Sequence, residues 1–345
     1  MTVRCRAPLR LGLAGGGTDL SPFCDEYGGA VLNCTIDRYA YAFLERTADR
    51  RVIFRARDLG VEEAHDIGAR LDAGQGLRLH RGIYNRFLAQ GKIDSGEGLI
   101  LTTTVDAPAG SGLGSSSALV VAICEAFNVM FDVPLGLYDL AHLAFEIERQ
   151  DLKLAGGKQD QYATVFGGVN FIEFLKDDRV IVNPLRVPDR ILIELETSLV
   201  VCFTGISRES ANIITQQTAN MRGHDPQAIK ALMSMRESAY EMKDALLHGD
   251  MAKMGRILER GWQSKKQTSD AISNESIEHV FEIGLKAGAY AGKISGAGGG
   301  GFIFFLVPPD RRYSVVSTLR AEGAEAGPVH FTPKGVETWI APNQT

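Results

Sequence analysis

The stretch PAGSGLGSSSA at Pro108–Ala118 decides both the fold and the chemistry. It joins a predicted strand, Leu99–Val105, to a predicted buried helix, Ala118–Met130, and leaves few large side chains at the junction. Glycines let a backbone approach a ligand closely, and the following helix points its unpaired N–H groups and its positive dipole end at the loop. The stretch therefore predicts a cradle for an anion such as a phosphate.

A plain turn and two better-known phosphate-binding patterns are the other interpretations of this loop. A flexible turn before a capped helix is the plain alternative, and it suits an isolated glycine and serine run. The P-loop pattern GxxxxGK[ST] has only a wrongly spaced candidate at Gly288–Ser295, and Gly110–Gly114 does not match the dinucleotide pattern GxGxxG. Ser115, Ser116 and Ser117 add hydroxyls to the first helical turn, where one could cap the helix and another bind Mg²⁺.

Length, composition and charge exclude several classes of protein. The chain has 345 residues, 45% hydrophobic and 23% charged, which is typical of a globular protein of about two domains. A net charge of −5 gives no general attraction for nucleic acid or anionic lipid, and no apolar run approaches the ~20 residues that span a bilayer. Since the five cysteines form no CxxC pair and the N-terminus has no signal-peptide pattern, we expect a cytoplasmic protein.

Apolar periodicity and turn residues predict a two-domain α+β protein, without the regular alternation of a doubly wound sheet. Prolines interrupt regular structure in Asn183–Asp189, so we place the domain boundary there, between residues 1–188 and 189–345. The other predicted strands lie within Val31–Asp58, around a turn at Thr47–Arg50, and at Gly167–Phe174, Phe302–Val307, Val329–Thr332 and Val336–Ile340. The other predicted helices are Leu77–Gln90, Gly136–Gln150, Arg208–Arg222, Pro226–His248, Met251–Ile272, Glu275–Ala287 and Asp310–Glu322.

The predicted helix Gly136–Gln150 carries two late glutamates, and helical geometry separates them. At 100° per residue Glu148 lies about 20° from the middle of the apolar face, whereas Glu146 lies on the opposite side. A buried carboxylate is costly unless it pairs or binds a metal, so Glu148 is a candidate metal ligand. The alternative is a buried salt bridge, with Arg10 or Lys158 as the partner.

Asp160 follows within a glycine-flanked segment, AGGKQDQYATVFGG at Ala155–Gly168. Alone, it would be interpreted as a turn residue. In a loop that follows an inward-facing Glu148, in a chain with an anion cradle, it is a candidate base or charge-orienting group. Two further glycine clusters, APLRLGLAGGGTD at Ala7–Asp19 and KISGAGGGGFIFFL at Lys293–Leu306, mark other places where a backbone approaches something closely.

These three clusters resemble, in order, the three signature motifs of the GHMP kinases, the superfamily named for galactokinase, homoserine kinase, mevalonate kinase and phosphomevalonate kinase. The motifs would be Ala7–Asp19, Pro108–Ala118 and Lys293–Gly301, so the resemblance spans the chain. It implies the two-domain α+β GHMP kinase fold, with an N-terminal domain like domain 2 of ribosomal protein S5 and a ferredoxin-like C-terminal domain. It also implies ATP as phosphoryl donor and Mg²⁺ as cofactor.

The resemblance implies roles for residues at matching positions. Ser116 and Glu148 correspond to the serine and glutamate that bind Mg²⁺, and Asp160 to the catalytic aspartate that Arg10 supports. Galactokinases have a Glu-His pair where this chain has Gly16 and Gly17, so galactose is not favoured. The implied nucleotide-binding residues are Pro108, Ala109, Gly110, Ser111, Gly112, Leu113, Gly114, Ser115, Ser116 and Ser117. The implied substrate-binding residues are Gly16, Gly17, Thr18, Asp19, Lys158, Arg208, Gly296, Ala297 and Gly298.

The GGGTD form of motif one, with TIDRYAY at Thr35–Tyr41 and FTGISR at Phe203–Arg208, resembles the branch of D-glycero-D-manno-heptose 7-phosphate 1-kinases and L-fucokinase-like enzymes. The heptose kinases are the nearer. The resemblance implies phosphorylation of an anomeric sugar hydroxyl, giving a 1,7-bisphosphate that feeds nucleotide-activated heptose and surface polysaccharide. A substrate that already bears a phosphate needs a second cationic contact, for which Arg38, Lys158 and Arg208 are candidates, although Arg208 could equally be a solvated surface residue.

The expected partner is a small-molecule sugar or sugar phosphate, with neither nucleic acid nor a membrane, and a homodimer is compatible with the sequence. Two alternatives stay open: another sugar 1-kinase, such as an L-fucokinase-like enzyme, or a non-catalytic sensor that binds sugar and ATP. The presence of Arg10, Ser116, Glu148 and Asp160 favours an enzyme over a sensor.

Overall fold

The computed structural model describes residues 2–93, 96–205 and 210–341. The strands are β1 Thr2–Ala14, β2 Gly29–Thr47, β3 Arg51–Ala56, β4 Val61–Asp66, β5 Gly98–Val105, β6 Val169–Phe174, β7 Val180–Pro184, β8 Leu199–Phe203, β9 Ala291–Ile294, β10 Phe302–Leu306, β11 Glu325–Pro328 and β12 Glu337–Ala341. The α-helices are α1 Phe23–Tyr27, α2 Arg78–Ala89, α3 Ser115–Met130, α4 Leu137–Glu146, α5 Gln159–Phe166, α6 Asp189–Thr197, α7 Ser210–Arg222, α8 Pro226–His248, α9 Met251–Lys266, α10 Glu275–Lys286 and α11 Arg312–Ala321.

Two sheets organise the chain. The larger has the strand order β12-β1-β2-β5-β3-β4, and β6 and β7 extend it from the first half of β2. The 19-residue strand β2 pairs with β1 along most of its length, with β6 near its start and with β5 near its end. The smaller sheet is antiparallel, with the order β11-β8-β10-β9. Sheets and helices in both halves confirm the predicted α+β fold class.

The α3 helix forms the centre of the larger core because it is apolar on nearly every side. Its buried positions include Ala118, Val121 and Phe127, and it packs against β1 and β2. The strand Leu99–Val105 and the helix Ala118–Met130 were both predicted, and the helix begins three residues earlier, at Ser115. This anchored helix fixes the position of the loop that precedes it.

Several predicted elements are wrong in detail. The helix predicted over Met251–Ile272 ends at Lys266 and is followed by a separate 3-10 turn at Asp270–Ile272. A strand predicted at Val329–Thr332 is absent from the described chain except for one bridge, and the strand lies instead at β11. The sequence of β11 has low strand propensity, so its pairing with β8 decides its conformation.

The predicted domain boundary, between residues 1–188 and 189–345, stays a prediction. The last strand, β12, nevertheless pairs with β1 in the larger sheet, where Thr2 lies opposite Ala341. Pairing between the two ends of a chain leaves no local signal, so sequence patterns could not assign this strand to the larger sheet. In the described residues, we find no helix with the length and apolar character that crossing a membrane requires.

Candidate active site

A cleft of about 520 Å³ opens in front of the start of α3 and between the two halves of the chain. It brings together parts of all three glycine clusters and the Glu148 and Asp160 segments, although these are far apart in sequence. Its walls are Arg10, Gly17, Asp19, Leu20, Arg78, Ala109, Gly110, Gly112, Gly114, Ser115, Ser116, Ser117, Glu148, Arg149, residues 154–157, Gln159, Asp160, Ala211, Ile214, Gln217, Lys265, Gly296 and Ala297.

The loop before α3 has the geometry of an anion cradle. Gly114 is the N-cap residue with φ +77°, and no side chain caps the first turn of α3, so its N–H groups face the cleft. Gly112 also has φ +77°, and a Cβ there would lie 2.3 Å from the Ser295 carbonyl oxygen. Glycine at position 112 therefore lets the second and third clusters pack against each other.

Three of the ten predicted nucleotide-binding residues do not line the cleft. Leu113 is buried in the core, and the Ser111 hydroxyl accepts a bond from the Leu113 N–H within the loop, at 3.4 Å. Pro108 also lies outside the cleft lining. The remaining seven residues line the cleft.

The two predicted metal ligands meet at the start of α3. The Ser116 hydroxyl donates to Glu148 Oε1 at 3.0 Å, and Gln161 Nε2 donates to Glu148 Oε2 at 2.5 Å. Glu148 is 1% exposed, which confirms the inward direction expected for this side chain, and its closest cationic atom is Arg149 Nη1 at 3.7 Å. Two hard oxygen groups facing a cleft suit Mg²⁺, which keeps other positions for phosphate and water.

The alternatives for these two glutamates are also resolved. Glu146 is partly exposed and pairs with Arg86 at 2.9 Å, as a residue on the outer helical face would. Glu148 does have a cationic neighbour, Arg149 at 3.7 Å, but neither of the two expected partners, because Arg10 binds Asp160 and Lys158 binds other carboxylates. A π-helical turn, Ile147–Asp151, follows α4 and carries Glu148.

Arg10 and Asp160 form a buried ion pair at the other side of the cradle. Arg10 Nε and Nη2 lie 2.7 and 2.6 Å from Asp160 Oδ1, and Arg10 Nη1 donates to the Gly112 carbonyl at 2.7 Å. Arg10 is 2% exposed, whereas the Asp160 side chain keeps 22% of its surface accessible. The arginine thus fixes the carboxylate and leaves one side of it facing the cleft.

Asp160 lies in the first turn of α5, so the predicted loop position is wrong. The helix begins at Gln159, whose N–H donates to Asp19 Oδ2 at 3.1 Å. That bond satisfies one of the unpaired N–H groups at the helix start, and the glycines before it end the preceding segment. A helical position makes the direction of the Asp160 side chain more fixed than a loop would.

Asp19 lines the cleft beside Asp160. Its carboxylate accepts bonds from the Gly17 and Gln159 N–H groups, at 3.0 and 3.1 Å. Burial, together with the negative charge of Asp160, raises the Asp19 pKa despite those bonds. Gly157 permits this arrangement, since a Cβ there would lie 1.8 Å from Asp19 Oδ2.

The other predicted substrate-binding residues are dispersed. Gly17, Gly296 and Ala297 line the cleft, whereas Gly16 and Thr18 do not, and the Thr18 hydroxyl bonds both backbone groups of Ala30. A Cβ on Gly298 would meet the Ile272 carbonyl at 3.0 Å, so that glycine serves packing.

The predicted cationic contacts for a second phosphate lie in different places. Lys158 faces away from Asp160 and pairs with Asp25 and Asp178. Arg38 stacks over the Phe302 ring at 5.1 Å and does not line the cleft. Arg208 lies outside the described residues.

Lys265, on α9, lines the cleft and was not among the predicted site residues. The residue is 2% exposed, and its ammonium donates to the Gly296 carbonyl. Burial, with the nearby charge of Arg10, lowers the Lys265 pKa to about 8. Helical periodicity could have found it, because Leu258 and Trp262 on the same face are both buried.

Comparison with known proteins agrees with this geometry. The family descriptions "GHMP kinases N terminal domain" and "GHMP kinases C terminal" match residues 78–168 and 242–325. The chain is also 41% identical, over 98% of its length and 99% of the relative's, to the D-glycero-alpha-D-manno-heptose 7-phosphate kinase of Campylobacter jejuni. This chain therefore belongs to the GHMP kinase family, whose members use ATP as phosphoryl donor.

Two further relatives place the chain within the family. A crystal structure described as a D-glycero-D-manno-heptose 1-phosphate kinase from Bacteroides thetaiotaomicron superimposes with a TM-score of 0.85. It is 41% identical and is matched over 99% of this chain and 100% of that one. The L-fucokinase/L-fucose-1-P guanylyltransferase of Bacteroides fragilis is 26% identical over 92% of this chain and 36% of its own length, so the likeness to fucokinases is more distant.

Proposed function

We propose that this protein is a sugar 1-kinase that transfers the γ-phosphoryl group of ATP to the anomeric hydroxyl of D-glycero-D-manno-heptose 7-phosphate. The product is the 1,7-bisphosphate, an intermediate suited to nucleotide-activated heptose and surface polysaccharide. The observation that carries the proposal is the joint position of the anion cradle, the Ser116–Glu148 pair and the Arg10–Asp160 pair in one cleft.

The donor half of the cleft suits Mg·ATP. The triphosphate would lie along the cradle, where backbone N–H groups of the α3 start face it. Ser116 and Glu148 would hold Mg²⁺, which neutralises phosphate charge when bound. The Ser116 hydroxyl and Glu148 Oε1 already lie 3.0 Å apart at the edge of the cleft, and Arg149 Nη1 is 3.7 Å from the same Glu148 oxygen.

The acceptor half suits a hydroxyl nucleophile. The sugar oxygen attacks the γ-phosphorus as the bond to the bridging oxygen of ADP breaks, and Asp160 accepts the hydroxyl proton. Arg10 holds Asp160 by its Nε and Nη2 groups, so the carboxylate stays directed at the acceptor. Asp19 lies beside it, where a carboxylate can accept hydrogen bonds from other sugar hydroxyls.

The 41% identity to a heptose 7-phosphate kinase and to a protein described as a heptose 1-phosphate kinase favours a heptose phosphate over a free hexose. An L-fucokinase-like activity is the alternative within the same chemistry, and the more distant likeness to a fucokinase supports it less. A sensor without catalysis has no support from the site, because Arg10, Ser116, Glu148 and Asp160 are present and in mutual contact as pairs.

A coupled assay of ADP release tests the proposal. The purified protein is mixed with Mg·ATP and, separately, with heptose 7-phosphate, mannose, L-fucose and galactose. Heptose 7-phosphate is expected to have the highest kcat/KM of the panel. Higher turnover of L-fucose would support the alternative sugar, and no ADP release with any sugar above the water background would contradict the kinase proposal.

We further propose a cytoplasmic location, supported by five cysteines that are all buried and unpaired. The proposed compartment is checked by cell fractionation. A homodimer also stays a prediction, which light scattering of the purified chain would test.

A further inference from the structure

The cleft continues into a second cavity that the proposed mechanism does not use. This side cavity has a volume of about 570 Å³ and shares Asp19, Leu20 and Arg149 with the cleft. It extends past Asp19, on the side away from the cradle, towards helix α7. An acceptor whose anomeric hydroxyl faces Asp160 can therefore place its far end in the side cavity.

The walls of the side cavity carry mostly positive charge. Arg149, Lys158 and Arg222 line it, and Asp19, at the border with the cleft, is the one acidic residue of its lining in the described chain. The hydroxyl residues Ser21, Thr215 and Thr218 lie among these cations. Cations interleaved with hydroxyl donors form a surface that recognises a phosphate group.

Lys158 supplies a cation that is already in place. It is 4% exposed, and its ammonium is held between Asp25 and Asp178. Burial alone would lower the Lys158 pKa, but the bonds and charges of its acidic neighbours raise it overall, so the residue is charged at neutral pH. The side chains of Asp25 and Asp178 are about half exposed, at 45% and 52%, so solvent screens their negative charge.

The two arginines have donors to spare. Arg149 gives Nε to the Gly157 carbonyl at 3.3 Å and Nη1 to the Leu154 carbonyl at 3.5 Å, and Nη1 also lies 3.7 Å from Glu148 Oε1. Its Nη2 has no hydrogen-bond partner in the described chain. Arg222 is the last residue of α7, lines the cavity and, among the described residues, makes no ion pair. Unused guanidinium donors around a cavity are available to a ligand.

We propose that the side cavity binds the phosphate group that the acceptor sugar already carries, with Arg149, Lys158 and Arg222 as its cationic contacts. This inference rests on the proposed function, and it assigns the 7-phosphate end of the acceptor to a site separate from the anion cradle. Among the three cations that the sequence suggested for such a phosphate, it retains Lys158, which pairs with Asp25 and Asp178 and lines the side cavity.

The experiment compares two acceptors that differ only in the phosphate, D-glycero-D-manno-heptose 7-phosphate and the free heptose. Arg222→Gln removes one exposed cation of the side cavity. Lys230→Gln is the control, because Lys230 is exposed near the start of α8 and lines neither cavity. Steady-state kinetics are measured with both acceptors, and calorimetry measures heptose 7-phosphate binding in the presence of Mg²⁺ and a non-hydrolysable ATP analogue.

Arg222→Gln is expected to lower kcat/KM and the affinity for heptose 7-phosphate about 10- to 100-fold, as the loss of a charge-assisted bond does. With free heptose, kcat/KM of this variant should stay within about twofold of the wild-type value, and so should its KM for ATP. For the control Lys230→Gln, all of these quantities should stay within about twofold of wild type. Equal loss with both acceptors, loss with neither, or wild-type preference for the free heptose would overturn the inference. Tight binding of heptose 7-phosphate that Arg222→Gln weakens, without any turnover, would uphold the side cavity and refute the proposed function instead.

Discussion

Replacing Lys265 by Met should make the ligand-free protein more stable and should lower its kcat. The ammonium of Lys265 is buried, and in the described chain it forms no ion pair with a carboxylate. Its pKa falls from 10.5 to about 8, which at about 1.4 kcal/mol per pH unit is a cost of about 3 kcal/mol at pH 7. The variant also loses the hydrogen bond to the Gly296 carbonyl, which contributes about 1 kcal/mol to stability. The free energy of unfolding of Lys265→Met should therefore be about 2 kcal/mol higher than that of the wild type at pH 7.

The sign of the pH dependence follows from the lowered pKa of Lys265. Below pH 8 both the folded and the unfolded wild type hold this proton, and the folded protein bears the full cost of burial. Between pH 8 and 10.5 the folded protein has released the proton that the unfolded chain still binds, so wild-type stability rises relative to the variant. The difference between the two should shrink to about zero near pH 10.

Urea unfolding of both proteins at pH 7 and pH 10, without ligand, measures this difference. Lys266→Met is the matched control, because Lys266 is partly exposed and its pair with Glu278 at 3.2 Å should contribute at most about 1 kcal/mol. We expect kcat of Lys265→Met to fall at least about 10-fold, since Lys265 faces the anion site beside Arg10. A variant that is less stable at pH 7, or a stability difference that is the same at both pH values, would refute the reasoning.

Three further predictions concern the cradle and the two carboxylates. Glu148→Gln should raise the Mg²⁺ concentration needed for half-maximal activity, while Glu146→Gln should change it little; equal effects in a Mg²⁺ titration would contradict the assignment. Asp160→Asn should lower kcat by about 10²–10⁴ and leave nucleotide binding, measured by calorimetry, nearly unchanged; full turnover would remove Asp160 from the mechanism. Gly112→Ala should destabilise the protein in urea unfolding, because its φ of +77° is unfavourable and its Cβ would lie 2.3 Å from the Ser295 carbonyl; unchanged stability would show that the contact can relax.

Local patterns predicted much of the fold and the central part of the site. The glycine and serine loop before α3 is a local signal, because small residues at a helix start let a ligand approach the backbone N–H groups closely. The inward direction of Glu148 followed from helical periodicity alone, and its burial confirms it. Resemblance to a known family added the expected pairing of Arg10 with Asp160, which the ion pair between them matches.

Features that depend on distant contacts could not be predicted in this way. The pairing of β12 with β1 joins the two ends of the chain, and no local pattern encodes it. Helical periodicity could have shown that Lys265 faces inward, but its place in the cleft depends on the packing of α9 beside the third glycine cluster, which is distant in sequence. The direction of Lys158 was likewise decided by Asp25 and Asp178, which lie far from it in sequence.

Phosphorus NMR of the reaction product tests the central claim most directly. Heptose 7-phosphate is incubated with Mg·ATP and either the wild type or Asp160→Asn, and the new phosphate resonance is assigned by its coupling to the sugar proton. We expect a second phosphate coupled to the proton at C1 with the wild type and nearly none with the variant. A phosphate on another carbon would contradict the proposed 1-kinase activity, and equal product from both proteins would contradict the role of Asp160.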